Sequence, residues 1–331
     1  MKISEIGEFG LLERLTTMAA KHQHGHIAYT KLDIGIGDDA AAWRNANRLT
    51  LITTDCLVQN VHFKLGEITW YELGWKALAI NLSDIAAMGG TAEYAFVTLG
   101  LPPDSETADI EELYRGLLDL AQHHKVALAG GDISASTTFF INIALTGSAK
   151  TQLLKRSGAK TGDLIAITGY TGMAAAGLRL ISNGCHAHDQ DTPLRQAFCQ
   201  PIPRVTEGVE ILAAGAHATI DISDGLVADL KHICCASNVS ASIDLTRIPL
   251  HPALKEFFVD EALDLALGGG EDYELLFTAK RSIMSHIIDK LEIPIHIIGS
   301  IEAGVHGNIR ILNSDGSEYK LQTLGWDHFA Q

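Results

Sequence analysis

Positive charge is in short supply in this chain. Lys and Arg number 25 against 40 Asp and Glu, a formal net charge of −15 over 331 residues. A broad nucleic-acid surface needs cations facing the phosphate backbone, so that class is disfavoured. An acidic protein still meets phosphates when divalent cations lie between the two. Cysteine is sparse as well: five in all, with only Cys234 and Cys235 adjacent, forming neither a CxxC site nor a disulfide framework. Reduced thiols are expected and structural zinc is not. No segment reaches the ~18 apolar residues of a membrane span, and "MKISEIGEFG" has no apolar signal core. The expectation is a soluble cytoplasmic protein.

Familiar catalytic signatures are missing too. There is no GxxxxGK(S/T) phosphate loop, no HRD or DFG kinase set, no GxSxG elbow and no HExxH zinc pair. The glycines of "TGYTGMAAAG" do not fit the G-x-G-x-x-G dinucleotide fingerprint. The histidines of "KHQHGH" stand in polar company near the N-terminus and read as a solvated loop.

Hydrophobic residues make up 47% of the chain, ample for real cores, and the length suggests two domains. After a helix-like "LLERLTTMAA", the segment "RLTLITTDCLV" (48–58) reads as a strand. Residues 70–88 place Trp75, Leu78, Ala79, Leu82, Ile85 and Ala86 at i, i+3, i+4 spacing, a helix with one core stripe. "AEYAFVTLGLP" is strand-like, "DIEELYRGLLDLAQHH" is an amphipathic helix, "VALAGGD" is a short apolar run, and "TTFFINIALTG" is a strand. A second block opens at "KRSGAKTGDLIAITG" and again alternates strands and helices, with 183–192 as a surface loop. Two α/β domains, 1–150 and 151–331, are expected, of α+β or α/β class.

Carboxylates recur beside glycine or at the ends of apolar runs: Asp38 and Asp39 in "GIGDD", Asp55 in "TTDC", Asp84 in "NLSD", Asp132 in "AGGD", Asp221 and Asp224 in "DISDG", and Glu271, Asp272 and Glu274 in "GGGEDYE". Taken alone, GDD reads as an ordinary turn. Asp55 follows strand residues and reads equally as a strand-end group bonded to a backbone amide. Asp84 is the sharpest case, because from Ala77 to Gly90 it is the only charged residue, opposite the main stripe and beside Asn81. A buried salt bridge is one explanation; with the other acids counted, a metal contact is the better one. Asp221 and Ser223 share one side of a strand, and Asp224 with Gly225 begins a helix, so Asp224 reads either as an N-cap or as part of an anion site. Six such clusters suggest a shared Mg²⁺ site of the kind used with nucleotide phosphates.

In this order, "GIGDDAA", "TTDCLVQNVHF", "KALAINLSDIAAMG", "LAGGD", "KRSGAKTGD", "DISDGLVADL", "GGGEDYEL" and "GWDHF" resemble the thiamine-monophosphate kinase family over effectively the whole chain. That family belongs to the ATP-binding superfamily that includes aminoimidazole ribonucleotide synthetase. The resemblance implies its two-domain fold and a homodimer paired through N-terminal sheets, with the first domain binding ATP and Mg²⁺ and the second adding metal and substrate contacts. It implies in-line transfer of the γ-phosphoryl of ATP to thiamine monophosphate, the last step to thiamine diphosphate. It carries Mg²⁺ ligation to Asp39, Thr53, Thr54, Asp55, Asp84, Asp132, Asp221 and Asp224. Nucleotide contacts fall on Tyr114, Gly131, Asp132, Arg156 and Ser223, and substrate contacts on His62, Glu271 and Trp326. Asp84, Asp132, Arg156, Asp221 and Asp224 would carry catalysis. Without the resemblance, His62 reads as a structural histidine and Trp326 as a core plug. Cys56 matches no catalytic thiol.

Competing readings follow from the same acids. A selenophosphate synthetase should carry a reactive Cys near its N-terminus, and the first here is Cys56; a hydrogenase-maturation relative should end in a reactive cysteine, and this chain ends "DHFAQ". A Mg²⁺-dependent phosphohydrolase would use water as acceptor. A nucleotide or metal sensor would bind without turnover.

Overall fold

A computed structural model describes residues 31–45, 47–184 and 192–321, together with positions between 7 and 18 that are helical. The 22–26 histidines, residues 185–191 and Trp326 lie outside the described residues. Two six-stranded sheets fall on either side of residue 150.

The first sheet runs β1-β2-β3-β6-β4-β5. Its strands are β1 (Leu32–Ile34), β2 (Ala41–Asn45), β3 (Arg48–Val58), β4 (Thr91–Leu101), β5 (Ala127–Ala135) and β6 (Phe140–Ala149). Among its described strands only β4 with β5 is parallel; the two are joined in sequence by helix α2 (Thr107–His124), as a parallel crossover requires. The run "VALAGGD" is thus the body of an edge strand. Gly131 is required there, because a Cβ would lie 1.9 Å from the carbonyl oxygen of Val97. The second sheet runs β12-β9-β11-β7-β10-β8, from β7 (Leu164–Thr168), β8 (Ala218–Asp221), β9 (Ser240–Asp244), β10 (Leu275–Ala279), β11 (Ile295–Glu302) and β12 (Ile309–Leu312). Around it lie α3 (Met173–Ser182), α4 (Pro193–Cys199), α5 (Val205–Ala214), α6 (Leu226–Ser237), α7 (Pro252–Phe257), α8 (Ala262–Gly268) and α9 (Arg281–Lys290).

Helix α1 (Trp70–Ala87) joins the two halves. Thr69 and Glu72 form a reciprocal capping box at its start. The single core stripe expected from its periodicity is an underestimate: residues are buried around the whole circumference. The physical reason is that both sides are covered. One side packs on the first sheet and α2; the other meets Phe198, Cys199, Tyr273 and Ile211 from the second half.

The α1–α2 crossing depends on two facing glycines. A Cβ on Gly74 would lie 1.8 Å from the Leu113 carbonyl oxygen, and one on Gly116 would lie 1.9 Å from that of Tyr71. Backbone cannot yield as a side-chain tip does, so Gly116→Ala is expected to destabilise the protein by about 1–3 kcal/mol, as overpacking does. Thermal melting reads this directly; an unchanged midpoint would mean the helices separate without cost.

Candidate active site

Strand β3 alternates between two faces. Leu51, Thr53 and Leu57 point to the helices and are buried, whereas Ile52 and Thr54 point to the open face. Cross-strand partners share a face, so Thr98, Asn142 and Asp132 lie on the open side in register with Cys56. The Thr54 hydroxyl donates to Asn142 Oδ1 at 3.2 Å.

On the helix side the carboxylates converge. Oxygens of Asp39, Asp84 and Asp221 all lie within 4.8 Å of one another. Each arrives from a different element. Asp39 follows the "GIG" turn before β2, Asp84 is on α1, and Asp221 ends β8. The Thr53 hydroxyl donates to Asp84 Oδ2, and the Ser83 hydroxyl donates to Asp221 Oδ2 at 2.6 Å. Adjacent residues of one helix therefore hold groups from both sheets. The Asp55 amide donates to Asn81 Oδ1 at 3.2 Å, and the Asp55 and Asp84 carboxyl groups interact.

Like charges this close in an enclosed site resist ionisation. Burial, then the field of Arg156 opposing it and that of Asp221 adding to it, leaves Asp39 with a pKa raised to about 7. Burial raises Asp221 to about 6 despite the Ser83 hydrogen bond. Asp84 is raised by burial and then by Asp55, Asp221 and Asp39; Asp55 is raised by burial. Asp84 keeps some accessible surface, as a ligand-facing group must, but desolvation of its carboxylate still dominates.

Arg156 is the cation of the cluster. Its Nε and NH2 donate to Asp39 Oδ1 at 3.1 and 2.6 Å, and its amide donates to Asp38 Oδ1 at 3.1 Å. "GDD" and "KRSG" are thereby docked across the interdomain junction. Asp39 Oδ2 is buried without a hydrogen-bond partner among the described residues. An orphaned oxygen amid three hard-oxygen donors suits Mg²⁺, so the residues present fit that ion.

The "DISDG" turn is built differently from the sequence expectation. Helix α6 begins at Leu226 with Gly225 as N-cap. The amides of Ser223, Asp224 and Gly225 all donate to Asp229 Oδ2 at 3.1 Å. Asp229, unmarked in the sequence, occupies the amides expected to hold an anion, and burial raises its pKa. It orients Asp224, which also lies near His232.

Of the acids in "GGGEDYE", Asp272 accepts the amides of Gly172 and Ala174 at the start of α3 (2.6 and 3.0 Å), and Glu274 takes a two-pronged contact from Arg204. Glu271 remains, paired with Lys76 at 3.1 Å. The amides of Glu271 and Tyr273 bond to the carbonyls of Ser223 and Ile222 (2.7 and 2.9 Å), tying this loop to "DISDG". His62 Nδ1 accepts the Val58 amide at 2.9 Å, bracing the turn after β3. Tyr114 lines a cleft of about 530 Å³ between α2 and β5, with Ile110, Leu118 and Ile133. The structure thus brings together Asp39, Thr53, Asp55, Asp84, Arg156 and Asp221, with Ser223 and Asp224 adjoining Asp221. It leaves Thr54 and Asp132 on the open sheet face.

Residues 37–149 match the family "AIR synthase related protein, N-terminal domain", and residues 160–311 match its C-terminal domain. The chain is 39% identical to the thiamine-monophosphate kinase of Escherichia coli O157:H7 over 98% of each. Among solved structures it is similar to AaThiL complexed with AMPPCP and TMP (TM-score 0.84, 31% identity, 99% of both chains). It is also similar to the thiamine-monophosphate kinase from Stenotrophomonas maltophilia K279a (TM-score 0.76, 36% identity, 92% of this chain and 96% of that one). Similarity of this level over both domains places the chain in the thiamine-monophosphate kinase family, as a kinase of the AIR synthase related fold.

Proposed function

We propose that the protein transfers the γ-phosphoryl group of ATP in line to the phosphate of thiamine monophosphate, giving thiamine diphosphate and ADP in the last step of that cofactor's synthesis. The observation that carries this reading is the convergence of Asp39, Asp84 and Asp221 from separate elements, with Arg156 alongside. A similar structure in complex with AMPPCP and TMP supports the same pair of substrates.

The attacking group is a phosphate oxygen, already anionic near neutral pH, so no strong base is needed. That agrees with a cluster built from carboxylates and Arg156, with no Ser/His or Cys/His relay in it among the described residues. What remains is alignment and charge neutralisation. Asp39, Asp55, Asp84 and Asp221, with Asp224 at the rim, would hold Mg²⁺. Bound there, the ion would supply neutralisation of phosphate charge. Thr53 and Ser83 fix two of the carboxylates, and Arg156 holds Asp39 while offering cationic charge to phosphates. His62, Glu271 and Trp326 take the thiamine monophosphate, Ser223 and Gly131 contact nucleotide, and the Tyr114 cleft accepts its nucleoside.

The open face of the first sheet supports a homodimer. Ile52, Tyr94 and Phe96 share that face in cross-strand register and expose 36%, 51% and 42% of their surface, a grouped apolar patch of the kind that marks an interaction surface. Thr54 and Asp132 lie on this face, so they act at the rim between copies. No helix among the described residues is long and apolar enough to cross a membrane.

³¹P NMR of the protein with Mg²⁺ and ATP, with and without thiamine monophosphate, tests the reading. Thiamine diphosphate and ADP should appear together, only with metal and both substrates. ADP and free phosphate regardless of acceptor would favour a hydrolase instead, and no turnover would point to a sensor or to another acceptor.

A further inference from the structure

Lys76 is the most deeply buried cation among the described residues, at 1% exposure, and the mechanism above does not use it. It projects from α1 beneath the Phe198 ring face, with Nζ 3.5 Å from the ring centroid. Its one ionic contact among the described residues is Glu271 Oε1 at 3.1 Å. That approach is off line for a hydrogen bond, and Nζ has no hydrogen-bond partner among the described residues. A buried ammonium is costly unless paired. The pairing therefore works in both directions: the lysine cannot leave the glutamate, and the glutamate cannot swing away without stranding the lysine.

The glutamate end is held with equal firmness. Glu271 has φ +66° and Tyr273 +51°, both in the left-handed region that side chains other than glycine's disfavour. Such backbone persists where surroundings over-determine it, and it clusters at ligand-binding loops. The Glu271 side chain keeps 27% exposure, so it is locked on one side and open on the other.

Lys76 also stands in a row. Glu72, Lys76 and Ser83 lie on one face of α1, at spacings of four and seven. Glu72 takes both prongs of Arg195 at 2.6 and 2.8 Å, Lys76 takes Glu271, and Ser83 takes Asp221. The helix that carries Asp84 also fixes the loop that carries Glu271.

We infer that Lys76 is a positioning residue for acceptor binding: it pins one oxygen of Glu271 so that the other presents a fixed acceptor to the amino-bearing, cationic heteroaromatic part of thiamine monophosphate. This rests on the substrate assignment proposed above. The Glu271 side chain is assigned no nucleotide contact, and the loop's tie to Ser223 runs through backbone that Lys76→Met leaves in place, so the effect is expected on one substrate.

The test is steady-state kinetics on wild type, Lys76→Met, Glu271→Gln and the double variant, with both substrates varied. Lys76→Met should raise KM for thiamine monophosphate about tenfold, the scale of one lost oriented contact, with KM for ATP within about twofold. Glu271→Gln should do the same, and the double variant should match Glu271→Gln alone, because two residues acting as a unit are not additive. The double variant is neutral at both positions, so it keeps the comparison available if Lys76→Met alone does not fold. An unchanged KM for thiamine monophosphate in Lys76→Met, or a double variant several-fold worse than Glu271→Gln, overturns the inference. An unchanged KM in Glu271→Gln overturns it at a different point, by removing Glu271 from the substrate. Failure of wild type to make thiamine diphosphate would instead overturn the function on which it rests.

Discussion

Asp84→Asn is expected to lower kcat by about 10²–10³-fold or more, the scale for removing one preorganised electrostatic group, while the protein stays folded and melts at a higher temperature near pH 8. The two effects share one origin. Asp84 faces Asp55, Asp221 and Asp39 in an enclosed site, and these raise its pKa on top of burial. Asparagine keeps an oxygen to accept the Thr53 hydroxyl but removes the mutual repulsion. The gain should therefore shrink as pH falls and the native carboxyls take up protons. Stability and activity moving in opposite directions is the signature of a functional group held at a cost. Coupled-assay kinetics and thermal melts at pH 6 and pH 8 measure both. Full activity would remove Asp84 from the reaction, and unfolding would make it a structural group.

Asp84 was legible in the sequence because one carboxylate in an apolar helix has little to do there except bind something. Its companions were not linked by pattern. Asp39 and Asp221 are 182 residues apart, and only the fold shows that Ser83 reaches across to Asp221. Periodicity gave α1 a single core stripe because a lone helix has one; the second half of the chain buries the opposite side, and no local signal announces that. Lys76 passed unnoticed for the same reason, since a lysine near the start of an amphipathic helix reads as a solvated residue until Phe198 and Glu271 close over it. Asp229 hid behind the "DISDG" that it organises, although its spacing of four residues from Gly225 places it under the turn's amides. In "LAGGD" the sequence points to ligand chemistry, whereas Gly131 is also demanded by strand packing against Val97.

Removing Mg²⁺ should abolish turnover, and its binding should depend on pH in a direction set by the same carboxylates. Asp39 and Asp221 are raised from 3.8 to about 7 and about 6. Between about pH 4 and 7 the folded, metal-free protein binds more protons at these positions than the unfolded chain does. Their contribution to stability is thus fully present below the unfolded pKa and is lost as pH rises through the folded values. The metal-free protein should melt progressively lower from pH 5 to pH 8. Mg²⁺ requires the ionised carboxylates, so it should bind more tightly over the same range and release protons as it does so. At 100 times its Kd the ion would add about 2.7 kcal/mol, and the increment in melting temperature should be larger at pH 8 than at pH 5. Calorimetry in buffers of different ionisation enthalpy should count released protons near pH 6.5 and few at pH 8.5. Asp39→Asn/Asp221→Asn isolates these groups from every other titration and should flatten both profiles. Mg²⁺ binding of equal strength at pH 5 and pH 8 would show that the three converging carboxylates are not its site.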